Sequence, residues 1–221
     1  LYMNNLIKLS DNIPLRYSYL FRLNPFNILS LMEATPEDRA KASLRYLNMQ
    51  KDYAETKEMK KRPYTSKRHL LNAYSTLATS AETVGKDMAT YYFNYFIDLN
   101  RKYPEDAGFS AEYDRYFTSL NYYKSIRDFQ KAVDYNDSVI HYFRHGDFQF
   151  DLTENIVLTL KDKIDCLDSL HRYKEAYEAY KEYTALLDSA RTRSMENKVE
   201  DLEIKKNVDE LAIEKKALEV E

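Results

Sequence analysis

Three side chains with metal-binding chemistry recur at helical spacing in the second half of the sequence. Asp137, His141 and His145 stand at positions i, i+4 and i+8, so a helix would place them on one face. Histidines four residues apart can both reach one metal ion. However, His145 precedes Gly146, and the helix dipole alone favours an imidazole at a helix C-terminus. We therefore predict no metal site and retain these three residues as its candidates should a metal bind.

The other residue types that could act in catalysis are scattered. Cys166 lies between Ile164 and Leu167, as a small core residue would, and the chain has no second cysteine. His69 and His171 are isolated from other reactive groups in the sequence. No glycine-rich phosphate loop, Ser-His-Asp spacing or Cys-x-x-Cys motif occurs. We expect no catalytic residue and no cofactor, so this chain is not expected to be an enzyme by itself.

The composition favours a helical protein with tyrosine as its main large packing residue. The 221 residues include 21 Tyr and 10 Phe but only 3 Gly and 5 Pro, which is few for a protein of strands and turns. The 33 basic and 36 acidic residues give a net charge of -3, without the basic stripe of a general nucleic-acid binder. No run of about 20 apolar residues predicts a membrane span in the chain.

Helix starts and ends can be placed from capping residues, proline and glycine. Thr35, Pro36 and Asp38 form a strong start signal with a cap, a first-turn proline and a capping-box acid. Ser110 and Asp128 precede two further helices. The predicted helices cover about 13–23, 25–33, 36–59, 66–83, 86–102, 110–126, 129–145 and 153–170, with the last one starting at residue 173.

Two segments, 122–136 and 166–180, align when they are set by their turns. Each has an aromatic residue that opens the second helix, Phe129 or Tyr173, and an alanine three residues later, Ala132 or Ala176. The alanine suits a close helix crossing, and we expect the aromatic residue and the residue four positions after the alanine, Asn136 or Tyr180, to face inward. The pattern resembles the tetratricopeptide repeat, with a fainter third copy over 84–93, although the first-helix Trp and the Leu-Gly pair of that family are missing. An irregular helical bundle is the alternative.

Tetratricopeptide proteins bind extended peptides in a groove formed by first helices. The resemblance implies Tyr116, Tyr122 and Tyr123 as candidates for contacting a partner there, and Lys161 at the position comparable to a carboxylate clamp. Asp162 and Asp165 are also at comparable positions. Because two acids would repel a carboxylate, we expect the groove to bind some other kind of peptide.

The chain ends in a highly charged segment, 191–221, with two short apolar runs. The first run has 4-3 spacing and the second, offset from it by about two residues, has 4-3-7 spacing with Lys215 at the skipped position. The residues of the first run are Met195, Val199 and Leu202, and those of the second, the candidate dimer seam, are Ile204, Val208, Leu211 and Leu218. Two interpretations remain open: a solvated single helix, or a parallel dimer seam.

The segment 173–189, followed by a Lys/Glu-rich helix, resembles the end of the tetratricopeptide sensor regions of Bacteroidetes membrane-bound signalling proteins. In that family the charged helix leads into one transmembrane helix and then a histidine-kinase core or a helix-turn-helix transcription-regulator domain. The resemblance implies a periplasmic input domain of an inner-membrane protein whose full-length parent is a histidine kinase or a transcription regulator.

We therefore predict an all-α, tetratricopeptide-like array of helix pairs, an α-solenoid with a long C-terminal helix. Its segments are irregular N-terminal helices (1–64), repeats (65–190) and a connector helix (191–221). We expect a sensor domain that binds a peptide, a protein or a small ligand and forms a homodimer through its last helix. This chain should not contact nucleic acid, and should reach the membrane only through a further segment. The alternative is a freestanding, cytoplasmic tetratricopeptide scaffold that binds a partner in its groove.

Overall fold

Every regular element that the computed structural model describes is a helix. It describes residues 35–54, 67–149 and 151–218, and in the last helix it describes side chains through 192 and at 195, 198, 199 and 202–206. The α-helices are α1 (Pro36–Ala54), α2 (Lys67–Ala78), α3 (Ala81–Val84), α4 (Lys86–Lys102), α5 (Ala111–Ser125), α6 (Phe129–His145), α7 (Thr153–Ser169) and α8 (Tyr173–Leu218), with a 3-10 helix, Pro104–Asp106, between α4 and α5. The all-α prediction is confirmed for these ranges.

Capping side chains start helices where the sequence predicts. The Thr35 hydroxyl oxygen accepts a hydrogen bond from the backbone N–H of Asp38 at 3.2 Å, and the same hydroxyl donates to the Asp38 carboxylate at 2.9 Å. The Ser110 hydroxyl oxygen accepts from the backbone N–H of Tyr113 at 3.0 Å. Each contact satisfies a backbone donor that the first turn leaves unpaired. The predicted helices at 13–23 and 25–33, and the end predicted near residue 59, lie outside the described residues.

The helix predicted over 66–83 is instead two helices with a break at Thr79 and Ser80. The Ser80 hydroxyl donates to the carbonyl oxygen of Thr76 at 2.6 Å, and that of Thr79 donates to the carbonyl of Ser75 at 3.1 Å. Hydroxyls that compete for backbone groups weaken a helix from within. The short helix α3 then ends at Gly85, whose φ of 86° is a conformation that glycine adopts without strain.

The chain divides into two compact units, Leu1–Tyr142 and Phe143–Glu221. In the first unit α2 packs against α1 and α4, and α5 packs against α2 and α4. Stacked aromatic rings fill much of this core: Phe93 of α4 lies on Tyr122 of α5 with ring centroids 4.0 Å apart and an interplanar angle of 7°. The residues of the main core cluster are Ala40, Tyr46, Leu47, Ala73, Leu77, Ala78, Ala89, Tyr92, Phe93 and Tyr122.

The second unit is built around a hairpin of α7 and α8. Its buried side chains are mostly aliphatic or small, in contrast to the aromatic core of the first unit. They are Phe143, Leu152, Val157, Thr159, Leu160, Cys166, Leu167, Ala176 and Ala179. An ion pair between Arg144, in the last turn of α6, and Glu182 of α8 lies in the same unit.

The turn between α5 and α6 is a Schellman motif that contains no glycine. The backbone N–H of Asp128 donates to the carbonyl of Tyr123 at 2.9 Å, and that of Arg127 donates to the carbonyl of Lys124 at 3.0 Å. Arg127 has a φ of 62°, in the left-handed region that usually favours glycine. The motif satisfies the last carbonyl groups of α5 and reverses the chain within a few residues.

The turn between α7 and α8 follows the same backbone path at the aligned positions. The N–H of Arg172 donates to the carbonyl of Leu167 at 3.0 Å, and that of His171 donates to the carbonyl of Asp168 at 2.9 Å. His171 has a φ of 58°. The two segments that align in sequence therefore share the same turn geometry, although they lie in different units.

The last helix, α8, runs for 46 residues from Tyr173 to Leu218. Its early turns are packed, since Ala176 and Ala179 are buried, whereas every described side chain from Arg191 through Lys206 is exposed. Within the described ranges no helix has the length and apolar character needed to cross a membrane.

Candidate functional site

The first unit contains a groove of about 870 Å³ in which more than half of the lining residues carry a hydroxyl group. It lies between the start of α1, the end of α2 with α3, and the second half of α5. The lining residues are Pro36, Arg39, Ser75, Thr76, Thr79, Ser80, Glu82, Thr83, Phe117, Thr118, Asn121, Lys124 and Ser125. Seven of these thirteen residues are serine or threonine, and their hydroxyl groups lie among a slightly larger apolar surface, so the groove is of mixed polarity and not strongly charged.

Most of the groove hydroxyls already donate their proton to the protein. Ser80 donates to the Thr76 carbonyl, and Ser125 donates to the Tyr122 carbonyl at 2.8 Å. Their oxygen lone pairs remain available as acceptors. A ligand that offers N–H groups, such as a peptide backbone or amide side chains, would complement these walls.

The groove also contains a hydrogen-bonded pair of hydroxyl groups, an exposed phenyl ring and three charged side chains. Ser75 of α2 and Thr118 of α5 are hydrogen-bonded at 2.8 Å and hold the two helices together across the groove floor. Phe117 is 44% exposed and offers an apolar contact beside them. Arg39 and Lys124 supply positive charge, and Glu82 supplies negative charge. The lining therefore suits a neutral, partly apolar chain better than a highly charged ligand.

The tyrosines predicted to contact a partner do not line this groove. Tyr122 is 4% exposed, and its hydroxyl is hydrogen-bonded to that of Thr90 at 2.8 Å. Its ring stacks on Phe93, so in this structure it is a packing residue and not a contact surface. The prediction for Tyr122 is corrected because an aromatic ring on the inner face of a helix pair gains more from burial than from solvent contact.

Tyr116 and Tyr123 are half-buried on α5 and both approach Tyr135 of α6. The Tyr116 hydroxyl donates to the Glu112 carboxylate at 2.9 Å, and this hydrogen bond raises the pKa of Tyr116. The Tyr123 ring stacks on Tyr135 at 5.5 Å and carries the Lys131 ammonium at 4.9 Å from its centroid. These contacts give both tyrosines a role between α5 and α6, and their role in binding stays a prediction.

Lys161 lies exposed on α7 in the second unit. Asp165 is exposed one turn further along the same helix, and Asp162 is half-buried. The structure thus keeps the acidic surroundings that argued against a carboxylate clamp.

The repeat-packing residues divide into those that pack and those that do not. Ala132 and Ala176 are buried, at 0% and 9% exposure, which agrees with close helix crossings at both positions. Phe129 is half-buried. The expectation that Tyr173 and Tyr180 face inward is wrong, because they are 61% and 52% exposed.

The exposed tyrosines form a stripe along the start of α8. Tyr173, Tyr177 and Tyr180 follow 4-3 spacing on one side of the helix, and Tyr177 is 60% exposed. The small Ala176 and Ala179 face the partner helix of the hairpin in their place. A helix pair packs closely where its side chains are small, so the rings are left on the outer face.

The metal candidates Asp137, His141 and His145 all lie on α6, as the spacing predicts, and all three are exposed. Across the described part of the chain, no group of three His, Cys, Asp or Glu side chains has the geometry to hold a metal ion. Cys166 is 1% exposed in the α7–α8 hairpin, where it packs as a small core residue.

The two apolar runs of the last helix point to different sides. Met195, Val199 and Leu202 each follow a stripe tyrosine by 22 residues, so at about 100° per residue they lie about 40° from the tyrosine stripe. Ile204 follows Ala179 by 25 residues, so it lies within about 20° of the side that packs on α7. Ile204 is 55% exposed, and the side chains of Val208, Leu211 and Leu218 are outside the described part of the structure.

The hydroxyl groove could have been found in the sequence. Five Ser and Thr residues recur between positions 75 and 83 at spacings that place them on one side of a helix. The wall of the groove that α5 contributes could not be predicted in this way, because Phe117 and Thr118 look like ordinary helix residues.

Comparisons with known protein families, with curated proteins and with solved structures find no match for this chain.

Proposed function

We propose that this chain is the extracytoplasmic sensor and interaction domain of a two-component or transcription-regulating signalling protein. It is a tetratricopeptide-like array that binds a peptide or protein partner, and it passes the signal on through its C-terminal helix. The shared Schellman turns at the aligned positions support the repeat interpretation.

One observation carries the proposal: α8 is at once a packed hairpin helix and a long exposed helix. It contacts α7 through Ala176 and Ala179 and continues without a break to Leu218. At about 1.5 Å per residue, the segment from Ala190 to Leu218 is about 42 Å long. Because the same helix enters both regions, a rotation of the hairpin turns the far end of the helix with it.

Signal transfer of this kind needs a ligand that binds one of two arrangements of the array more tightly. A preference of a few kcal/mol is enough to move most of the population from one arrangement to the other. The helix itself needs no ligand site, only stiffness between its two ends.

The test breaks this stiffness in the intact parent protein. Arg191 and Thr192 are exposed and follow the packed part of α8, so replacing both with glycine weakens the helix by about 1 kcal/mol per residue without touching the hairpin. The matched control replaces both with alanine. We expect the glycine pair to abolish the response of the output domain and the alanine pair to retain it. An unchanged response in the glycine variant would refute transmission through this helix.

The freestanding scaffold remains a second candidate because of the hydroxyl groove of the first unit. It predicts that a peptide partner binds between α2 and α5 and that binding needs no output helix. Phe117→Ala and Thr118→Val should each reduce recovery of a partner in a pull-down. Leu158→Ala is a suitable control, since Leu158 is 65% exposed and lies in the second unit. Equal recovery with all three variants would remove the groove from consideration.

A further inference from the structure

The outer part of α8 presents an apolar surface that no described residue covers. Met195, Val199 and Leu202 are 63%, 54% and 66% exposed. Their 4-3 spacing places them at alternating core positions of a coiled-coil heptad. Three large apolar side chains at such positions on one side of a charged helix fit another helix of the same pattern.

The charges that flank this surface repeat every seven residues. The heptad position just before the core position of Val199 is basic throughout. Its residues, which are all exposed in the structure, are Arg191, Lys198 and Lys205. The heptad position just after the core position of Met195 and Leu202 is acidic throughout. Its residues in the sequence are Glu196, Glu203 and Glu210.

This arrangement specifies the orientation of the partner helix. In a parallel pair each basic position meets the acidic position five residues further along the partner, so 191 meets 196, 198 meets 203 and 205 meets 210. All three contacts are attractive, and each occurs twice in a symmetric dimer. In an antiparallel pair of the same segments, bases would face bases and acids would face acids, which opposes association.

The second apolar run does not have complementary flanks. The corresponding pairs around Ile204 and its heptad neighbours join Glu200 to Lys205, Asn207 to Ala212, and Glu214 to Glu219. One pair is attractive, one is neutral and one is repulsive. The charges therefore favour the Met195 surface over the seam predicted from the 4-3-7 spacing.

We propose that two copies of this chain associate in parallel and in register through Met195, Val199 and Leu202. The next core position is Lys206, so the apolar seam is short and the dimer is concentration-dependent. The inference concerns the chain in solution and holds whether or not α8 transmits a signal, so it stands or falls separately from the proposed function.

Disulfide trapping tests this register directly. The only native cysteine, Cys166, is 1% exposed, so the unmodified chain is its own background control. Under mild oxidation at high protein concentration, Leu202→Cys should give a covalent dimer, because equal positions meet in a parallel pair. Ile204→Cys is the matched control on the other side of the helix and should give no covalent dimer.

A second pair of variants tests the charge code. Lys198→Glu with Lys205→Glu should abolish the Leu202→Cys dimer, and so should Glu203→Lys with Glu210→Lys. Mixing the two charge-altered chains should restore a mixed dimer. Circular dichroism of each variant shows whether the helix is intact.

Three outcomes would overturn the proposal. Trapping at Ile204→Cys as efficient as at Leu202→Cys would assign the seam to the other face. A disulfide between Leu202→Cys and Met195→Cys chains, in preference to the symmetric one, would show an antiparallel pair. No covalent dimer from a folded, helical Leu202→Cys chain would show that this part of α8 is a single helix.

Discussion

The α5–α6 turn and the α7–α8 turn have the same backbone and opposite surface chemistry. In both, a residue other than glycine takes the left-handed conformation, Arg127 in one and His171 in the other. Both turns close with the same pair of Schellman hydrogen bonds. The same turn geometry therefore forms with two different side chains at the left-handed position.

The ion pair that follows each turn has its charges exchanged. In the first turn Asp128 pairs with Lys131 at 3.4 Å, and at the aligned positions of the second turn Arg172 pairs with Glu175, whose oxygen is 2.7 Å from Nε of the arginine. Only the first arrangement also caps a helix, since Asp128 accepts from the backbone N–H of Lys131 at 3.3 Å. The same three-residue spacing therefore holds an ion pair with a helix cap in the first turn and an ion pair alone in the second.

The residues beside the two turns differ most in how they pack. Tyr122 and the aligned Cys166 are both buried, at 4% and 1% exposure, but one fills its site with an aromatic ring and the other with a single sulfur atom. The first unit consequently depends on ring stacking, whereas the second depends on small side chains and close approach. Five predictions test how far this difference extends.

The largest expected effect is at the aligned pair Tyr122 and Cys166. Tyr122→Ala should lower the free energy of unfolding by about 3–5 kcal/mol, because it leaves a cavity beside Phe93. Cys166→Ala should lower it by much less, because one sulfur atom leaves a small void. Tyr122→Phe, which loses only the hydroxyl bond to Thr90, should cost about 1 kcal/mol. Urea denaturation followed by circular dichroism measures all three, and equal losses for the first two would contradict the comparison.

The next effect is overpacking at the helix crossings. Ala132→Leu and Ala176→Leu should each destabilise by about 1–3 kcal/mol, since a larger side chain forces the crossing helices apart. Ala132 is completely buried and Ala176 is 9% exposed, so the first should lose more. Ala185→Leu is a control at an exposed position of α8. Thermal unfolding of the three variants measures the loss of stability. An equal loss at the exposed control and at the buried sites would contradict this explanation.

Replacing Asp128 should cost more stability than replacing Arg172, because only Asp128 also caps a helix. Asp128→Ala should destabilise by about 1 kcal/mol, because the N–H of Lys131 loses its partner at the start of α6. Arg172→Ala removes only an exposed contact and should have the smaller effect. Chemical denaturation midpoints of the two variants provide the measurement, and a larger loss for Arg172→Ala would reverse the assignment.

Glycine at the left-handed positions should stabilise both turns. Arg127→Gly and His171→Gly should each add about 0.5–1 kcal/mol, because glycine adopts a positive φ without the strain of a Cβ atom. His171→Gly also removes the 2.8 Å hydrogen bond between Nδ1 of the His171 ring and the Tyr173 hydroxyl, so its gain should be the smaller. Alanine at either position keeps the strain and should give no gain, so stabilisation by alanine would count against this explanation.

The exchanged charges should give the turns opposite pH dependence. The hydrogen bond from Arg172 lowers the pKa of Glu175 below 4.5, so its contribution is present above that value and is lost as pH falls through the folded-state pKa. The hydrogen bond to Asp128 raises the pKa of Lys131 above 10.5, so its contribution is lost as pH rises through the folded-state value. The measurement is the free energy of unfolding as a function of pH. For Glu175→Gln this curve should become flatter only on the acid side, and for Lys131→Gln only on the alkaline side.

Much of the local structure could be predicted because its causes are local. The starts of α1 and α5 follow from Thr35 and Ser110, and the bounds of α4 follow from Gly85 and Pro104, since caps and breakers act within a few residues. The break after Ala78 was not predicted, because it depends on hydroxyls that form bonds to the preceding turn. The left-handed residues were not predicted either, because Arg and His carry no signal for that conformation.

The candidate sites show the same division. The 4-3 spacing in the sequence identified both apolar runs of α8, but not which side each would face. Tyr122 was predicted as a contact residue and is packed, whereas Tyr173 and Tyr180 were predicted to pack and are exposed. The hydroxyl groove takes side chains from α1, α2, α3 and α5, so the sequence indicates only the Ser and Thr wall between positions 75 and 83.

The sequence by itself determined the helical class, most helix starts and the charge pattern of the last helix, because spacing and capping act along the chain. Only the tertiary structure decided which tyrosines are buried and where the groove lies. Burial depends on which helix faces pack against each other, and those contacts join residues that are distant in sequence.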